Sequence, residues 1–441
     1  MTQGFNTLAI HAGAAPDPVT GSRATPIHQT TSFVFNDADH AARLFALQEF
    51  GNIYTRLTNP TTAVLENRVA ALEGGTAAVA TASGHAAQHL IFHCLMEPGA
   101  EFAAAKQLYG GSINQFNHSW KKYGWSVKWF DIDDPQSLRD AVNPNTKAVF
   151  IESIANPGGL ITDIEDVAAV AHANGAPLIV DNTMASPYLV RPIEYGADIV
   201  VHSATKFLGG HGNSIAGVAV DSGRFDWGAH PGKFPTLTDP LAFYNGLKIH
   251  DVFGGIDLGG GPVNISLAIA LRAFALRDIG PALSPFNALM VLTGIETLPL
   301  RMQRHVENAV KVAQWLEAHP KVAWVSYAGL ASHKHHARAQ KYTPKGAGSV
   351  FTFGVKGGYE AANTVASSLK LFSMLANIGD TRSLVIHSAS TTHRQLTDDQ
   401  KVAAGALPEA VRLSIGIEDV EDIIADLDQA LAKVGGATAA F

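Results

Sequence analysis

The sequence predicts an α/β protein with a mostly parallel sheet, followed by a smaller α+β unit of about 150 residues. Three observations predict it. From Ala103 onward, short apolar runs alternate with helical patterns, the order expected of parallel strands joined by helical crossovers. Three of those runs, Val149 to Glu152, Leu178 to Asp181 and Ile199 to Val201, are apolar up to their last residues, as buried strands must be. Past Trp324 apolar alternation returns, in Val350 to Phe353 and Val411 to Ile415, before a closing helix from Val420 to Lys433.

With 441 residues there is room for two or three domains. The expected division is an arm over 1–60, a large domain over 61–284 and a small domain over 285–441. Hydrophobic residues make up 46% and charged residues 16%, which fits a compact enzyme. A net charge of −7 with no basic block argues against a nucleic-acid surface. The one cysteine, Cys94, rules out an intramolecular disulfide and a thiolate zinc cluster. No uninterrupted apolar run reaches the ~18 residues of a membrane span. The first fifteen residues lack the basic-then-apolar pattern of a signal, so a cytoplasmic location is expected.

Residues 1–60 mix turns with Tyr54-Thr55-Arg56-Leu57-Thr58-Asn59-Pro60 and hold no long amphipathic helix. An arm with so little core of its own needs another surface, such as a neighbouring subunit. Extended, it would point Tyr54 and Arg56 to one side; alone, the segment is equally an ordinary polar loop. Thr61 to Leu72 reads as a helix with Val64, Leu65, Val69 and Leu72 on one face, stopped by Gly74-Gly75. Ala77 to Ala82 then leads into Ser83-Gly84-His85, which opens a helix through Met96. Small residues at such a turn leave N–H groups free at a positive helix end, a seat for phosphate. His85, His89 and His93 recur every four residues, but no carboxylate or cysteine joins that face before Glu97, so no metal is expected. His333, His335 and His336 stand beside Lys334 in a polar stretch and read as solvated surface.

Tyr109-Gly110-Gly111 follows a short strand, where a tyrosine could stack on a planar cofactor or simply pack. The strand ending at Glu152 runs into Ser153 and Asn156, and a helix over Thr162 to His172 leads to Leu178-Ile179-Val180-Asp181-Asn182-Thr183. A carboxylate where a buried strand stops is costly unless paired. Twenty-five residues later comes Ser203-Ala204-Thr205-Lys206, at the end of the next buried strand. There a lysine is partly desolvated, its pKa falls and a neutral amine becomes available. Beside hydroxyls suited to a phosphate, it suggests a lysine in Schiff-base linkage to pyridoxal phosphate, with Asp181 on the protonated pyridine nitrogen. Both strand ends converge at the carboxyl edge of a sheet, where α/β folds bind ligands. No Gly-x-x-x-x-Gly-Lys-Ser/Thr and no Gly-x-Gly-x-x-Gly after a strand supports a nucleotide site.

Residues 221–262 form a long stretch of little periodicity, rich in glycine, proline and aromatics, which reads as functional or a subunit contact. Ser284 to Ala318 reads as one helix linking into the second domain. Arg412 sits inside an apolar strand, where a charge should meet a carboxylate, from the protein or from a substrate.

With these residues assembled, the chain resembles the pyridoxal-phosphate enzymes of cysteine and methionine metabolism, the cystathionine γ-synthase/γ-lyase group. The likeness runs from Thr7-Leu8-Ala9-Ile10-His11-Ala12-Gly13 to Arg412-Leu413-Ser414-Ile415-Gly416-Ile417-Glu418. Its most specific pieces are Tyr54 to Thr61 and Ser203 to Lys206. The resemblance implies fold type I, like aspartate aminotransferase, with a mostly parallel seven-stranded sheet and a homotetramer of two active dimers. It makes Lys206 the cofactor lysine and proton shuttle, Asp181 the pyridine partner and Tyr109 the stacking ring, with Tyr109 and Tyr54 as further catalytic candidates. The cofactor's other holders would be Ser83, Gly84, His85, Thr183, Ser203 and Thr205, with Tyr54 and Arg56 from the adjacent subunit. Arg412, Asn156 and Asn377 would bind the substrate. Gly111 stands where methionine γ-lyases carry cysteine, and the insertion around Gly228 to Phe234 is similar to the sulfhydrylase branch. That branch would join O-acetyl-L-homoserine to sulfide or methanethiol. O-succinylhomoserine sulfhydrylases, cystathionine γ-synthases and γ-lyases share every residue named, and a catalytically silent cofactor-binding protein is the reading from another class. Ser388 departs from the group, which has proline after the histidine, and bears on the shape of the substrate pocket.

Overall fold

The computed structural model describes residues 3–156, 158–391 and 407–435, and two sheets organise it. The larger has seven strands: β1 (Ala77–Thr81), β2 (Glu101–Ala105), β3 (Ser126–Phe130), β4 (Thr146–Glu152), β5 (Leu178–Asp181), β6 (Ile199–Ser203) and β7 (Gly217–Asp221). Across the sheet they run β1-β7-β6-β5-β4-β2-β3. Only β7 is antiparallel to its neighbours. Consecutive residues Val149, Phe150 and Ile151, Leu178 to Val180 and Ile199 to Val201 are all fully buried, so both faces of the sheet are covered. All three strands therefore end together at one edge, with Glu152 opposite Asp181 and Asp181 opposite Val201.

Local chemistry sets the helices that flank this edge. Pro60–Glu73 starts at Asn59, whose side chain accepts from the Thr61 and Thr62 N–H groups, and stops at Gly74 in the left-handed region at φ 77°. It is buried on more than the predicted face. Glu66 accepts from the Ala80 N–H at 2.8 Å and pairs with Arg272 at 2.7 Å, while Arg68 donates to the Ala12 carbonyl at 3.0 Å. Gly84–Leu95 is capped by Ser83, whose hydroxyl accepts from the Ala86 N–H.

Residues 3–59 form two short helices, Phe5–His11 and Ala38–Phe45, joined by irregular chain. Of the two forms left open, extended segment or polar loop, Tyr54 to Thr58 takes the second, as a turn. The N–H groups of Leu57 and Thr58 both donate to the Tyr54 carbonyl, at 2.8 and 3.0 Å. Asn59 draws the chain in by donating to the His28 carbonyl at 2.8 Å and to Thr55 Oγ1 at 3.1 Å. The turn lays the Arg56 guanidinium over the Tyr54 ring at 5.4 Å.

The stretch after β7 is more ordered than its pattern implied. It holds helices Pro235–Thr238 and Ile249–Phe253 and a ribbon of β8 (Ile256–Asp257) with β9 (Pro262–Val263). Buried Trp227 and Phe234 anchor it. The helix expected over 284–318 is two, Pro285–Glu296 and Leu298–Ala318, broken at Thr297. Pro299, tolerated only in a first turn, fixes the new start. Pro285–Glu296 packs against Pro60–Glu73, and Leu298–Ala318 against the smaller sheet. That sheet is β10 (Val322–Ser326), β11 (Val350–Val355), β12 (Ser373–Met374), β13 (Leu384–Ile386) and β14 (Ala410–Ser414), in the order β10-β11-β14-β13-β12. Helix Val420–Ala432 closes the described chain.

The histidines at 333–336 are not solvated surface. His335 is buried, accepts from the Ile161 N–H at 3.1 Å and meets Asp133 at 2.7 Å, because its loop packs onto the larger sheet's connections. Burial pushes His333 down to about 4.

Candidate active site

At the carboxyl edge of β4, β5 and β6, a cavity of about 270 Å³ opens between the two sheets. It brings together Ser83, Gly84, His85, Tyr109, Asn156, Asp181, Thr183, Ser203, Thr205, Lys206, Asn377 and Arg412. Tyr54 and Arg56 are not among its lining residues.

Lys206 lies three residues past the end of β6, its ammonium donating to Asn377 Oδ1. Burial, aided by the Arg412 charge, pushes the Lys206 amine down to about 8. A neutral amine is therefore within reach near neutral pH. Asp181 ends the adjacent strand and accepts from the Thr183 N–H at 2.9 Å. Burial raises its carboxyl, while the Thr183 hydrogen bonds and nearby His202 and His85 pull the other way. Such a carboxylate is ready for a cation. Burial holds His85 below its ordinary value, so it does not fill that need.

Glu152 extends the row of strand ends. One oxygen accepts from the Tyr109 N–H at 2.6 Å and the other from the Asn156 N–H at 2.9 Å. Burial first, then the Asp181 charge, lifts it well above the carboxylate range. The Tyr109 ring stacks on His85 with centroids 5.8 Å apart and planes at 26°. Gly111 leaves the space for this: a Cβ there would come 2.3 Å from the Tyr109 ring and 2.9 Å from His85.

The helix opening at Gly84 abuts the strands beside Lys206. A Cβ on Gly84 would lie 2.9 Å from the Ser203 Cα, and one on Gly217 would lie 2.0 Å from the Ser83 carbonyl. Glycine is required at both places for this close approach. First-turn N–H groups have no partner within their helix, so the turn suits an anion. Thr183 Oγ1 accepts from the Ser203 N–H at 2.8 Å, and Thr205 Oγ1 both donates to Ala216 O and accepts from its N–H. The hydroxyl of Ser203 lines the cavity beside them.

Arg412 crosses from the smaller sheet. Its two terminal nitrogens donate to Asn156 Oδ1 at 3.1 Å and to the Asn377 carbonyl at 3.2 Å. Burial pushes its guanidinium down to about 10, and among the described residues no carboxylate pairs with it. The carboxylate expected from the apolar strand pattern is thus absent from the described protein, and the guanidinium faces a cavity with room for a carboxylate ligand.

Pyridoxal phosphate fits this donor set. The lysine, the half-buried Asp181 with no cation paired to it, the stacked Tyr109 and the helix-start anion seat converge on one cavity, and among the described residues the buried Gln88 Oε1 on its wall has no partner. Several lining residues were missed from sequence: Gln88, Ser112, Glu152, Met184, Ile215 and Ile378. Gln88 was findable, being one helical turn after Gly84; Ile378 and Ile215 sit in irregular chain with no periodic signal. Ser388 is buried but is not a lining residue. The helix histidines serve as packing: Trp120 donates to His89 at 3.1 Å, and His93 stacks on Phe274 at 5.2 Å.

The family model for Cys/Met metabolism PLP-dependent enzymes matches residues 6–432. An O-acetyl-L-homoserine sulfhydrylase of Leptospira meyeri is 54% identical over 429 residues, 97% of this chain and 96% of that protein. A homocysteine synthase of Schizosaccharomyces pombe is 49% identical over 97% of this chain and 98% of its own. Among solved structures, a Campylobacter jejuni protein described as an O-acetylhomoserine (thiol)-lyase superposes with a TM-score of 0.91 at 38% identity. The match covers 98% of this chain and all of that one, which carries N'-pyridoxyl-lysine-5'-monophosphate.

Proposed function

The chain belongs to the Cys/Met metabolism PLP-dependent enzymes, and from that premise we propose that it performs a γ-replacement. O-acetyl-L-homoserine and sulfide give L-homocysteine and acetate; methanethiol in place of sulfide gives L-methionine. The observation that carries the site assignment is the convergence of Lys206, Asp181 and an unpaired Arg412 on one cavity.

When bound, pyridoxal phosphate supplies an electron sink conjugated to the substrate's α-carbon. Asp181 would hold the pyridinium N–H, and Tyr109 would flank the ring. Ser83, Gly84, His85, Thr183, Ser203 and Thr205 form the phosphate side of the cavity. Arg412 binds the α-carboxylate in two-pronged fashion, oriented by Asn156 and the Asn377 carbonyl. Lys206 would carry one proton at a time. In its neutral form it would take the Cα proton, give it up to the electron sink, and so be free to take the Cβ proton as acetate leaves from Cγ. After sulfide adds at Cγ, Lys206 returns the protons. Tyr109 is a second group able to hold a proton there.

The pocket chemistry favours the acetyl ester. Lys206 and Arg412 are the charged cations among its described lining residues, and both are already committed. A succinyl tail would bring a second carboxylate into a cavity walled in part by buried Met184 and Ile378, with no further counter-charge among the described lining residues. Tyr54 and Arg56 would act on the phosphate from a second copy in a homotetramer, which accounts for their position outside the cavity of one chain.

Product analysis tests the reading. Purified protein with pyridoxal phosphate and sulfide should make homocysteine chiefly from O-acetyl-L-homoserine. Equal or faster product from the succinyl ester, or cleavage of cystathionine to a 2-oxo acid, would overturn the substrate assignment.

A further inference from the structure

A second cleft lies at the amino ends of the parallel strands, on the opposite edge of the sheet from Lys206. It measures about 930 Å³ and is walled by the start of β4, the turn before β5 and residues 229–233 of the insertion. Lys147 and Lys233 converge there on one buried ring, with their ammonium nitrogens 5.8 and 6.0 Å from the centroid of Phe234. Lys147 donates to the Lys233 carbonyl, and Lys233 to the Asn174 carbonyl at 2.8 Å. Neither is paired with a carboxylate among the described residues.

Of the acids near the cleft, exposed Glu97 reaches Lys147 through its charge but forms no ion pair with it among the described residues, and two others are already matched. Glu101 is held by Asn143 at 2.6 Å and Lys128 at 3.2 Å. Asp198 takes His172 at 2.7 Å and the Leu178 N–H at 2.7 Å. Two half-buried cations with no carboxylate in ion-pair contact thus remain among the described residues. We propose that this cleft is a binding site for a phosphate-type oxyanion, free or as a monoester, held between Lys147 and Lys233. Lysine is suited to that as a compact point charge. The electrostatics agree: burial and the neighbouring Lys147 charge push Lys233 down to about 8. Burial also lowers Lys147. A bound dianion would relieve both.

The test uses the holoenzyme, whose pyridoxal phosphate keeps the catalytic cavity filled. Limited acetylation by acetic anhydride is followed by mass spectrometry at each lysine, in inorganic phosphate, in phosphoserine and in chloride at matched ionic strength. At phosphate ten times its dissociation constant, acetylation of Lys147 and Lys233 should slow about tenfold, while exposed Lys311 is unaffected. Lys233→Gln should remove the protection read at Lys147. Protection at lower concentration by phosphoserine than by phosphate would mark the ligand as an ester, and the reverse as the free ion; both support the site. Equal rates in phosphate and chloride would overturn it. So would both lysines resisting acetylation in chloride because a second copy covers them, or Lys233→Gln leaving the protection at Lys147 intact.

Discussion

Lys206 owes its chemistry to where the chain places it. An amine whose pKa falls on folding penalises the folded state while it is charged. With a folded value of about 8, the penalty is full at lower pH and fades as pH rises towards the ordinary lysine range. Lys206→Met should therefore raise the melting temperature of the cofactor-free protein more near pH 7 than near pH 10. An equal gain at both would show that the amine is not desolvated. In the holoenzyme, Lys206→Ala should lower turnover roughly 10²–10⁴-fold with little change in thermal unfolding. Arg412→Lys should raise the KM for O-acetyl-L-homoserine about tenfold or more, since an ammonium cannot replace the two-pronged guanidinium; steady-state kinetics would check it. These positions were legible because a charge at the end of, or within, an apolar strand needs a reason. Glu152 carried the same signal at the end of β4, yet its role was not: its partners are backbone N–H groups, which sequence does not display.

At the scale of elements, the site depends on strand ends held in register and on helices that start at fixed points. Glu152 ties Tyr109 to Asn156, so Glu152→Gln turns one acceptor into a donor facing an N–H. That should destabilise the protein by about 1–3 kcal/mol, read by denaturant unfolding, and weaken substrate binding through Asn156. The buried strands and the capped helices at Asn59 and Ser83 could be read from residues alone, because apolar runs and caps are local. The turn at Tyr54 could not, since it is drawn in by His28 and Thr55. The break at Thr297 was available in Pro299 but masked by a continuous apolar pattern. Burial of His335 comes from Asp133 and Ile161, remote in sequence and brought near only by the fold.

For the whole molecule, one chain supplies an edge of the larger sheet with Lys206 and Asp181, and a strand of the smaller sheet with Arg412. Its arm leaves Tyr54 exposed, along with apolar Val34, Phe45 and Phe50, a surface suited to a second copy. If Arg56 serves a neighbour's site, Arg56→Ala should lower activity, and mixing it with Lys206→Ala protein under exchange should restore part of what is lost. In a mixed dimer one of the two sites is then intact; no recovery would place Arg56 in its own chain's site. The central proposal is that the Lys206 amine carries the cofactor. Borohydride reduction of the holoenzyme followed by peptide mapping identifies it directly. A pyridoxyl group on Lys206 is expected; a label on any other lysine would contradict the assignment.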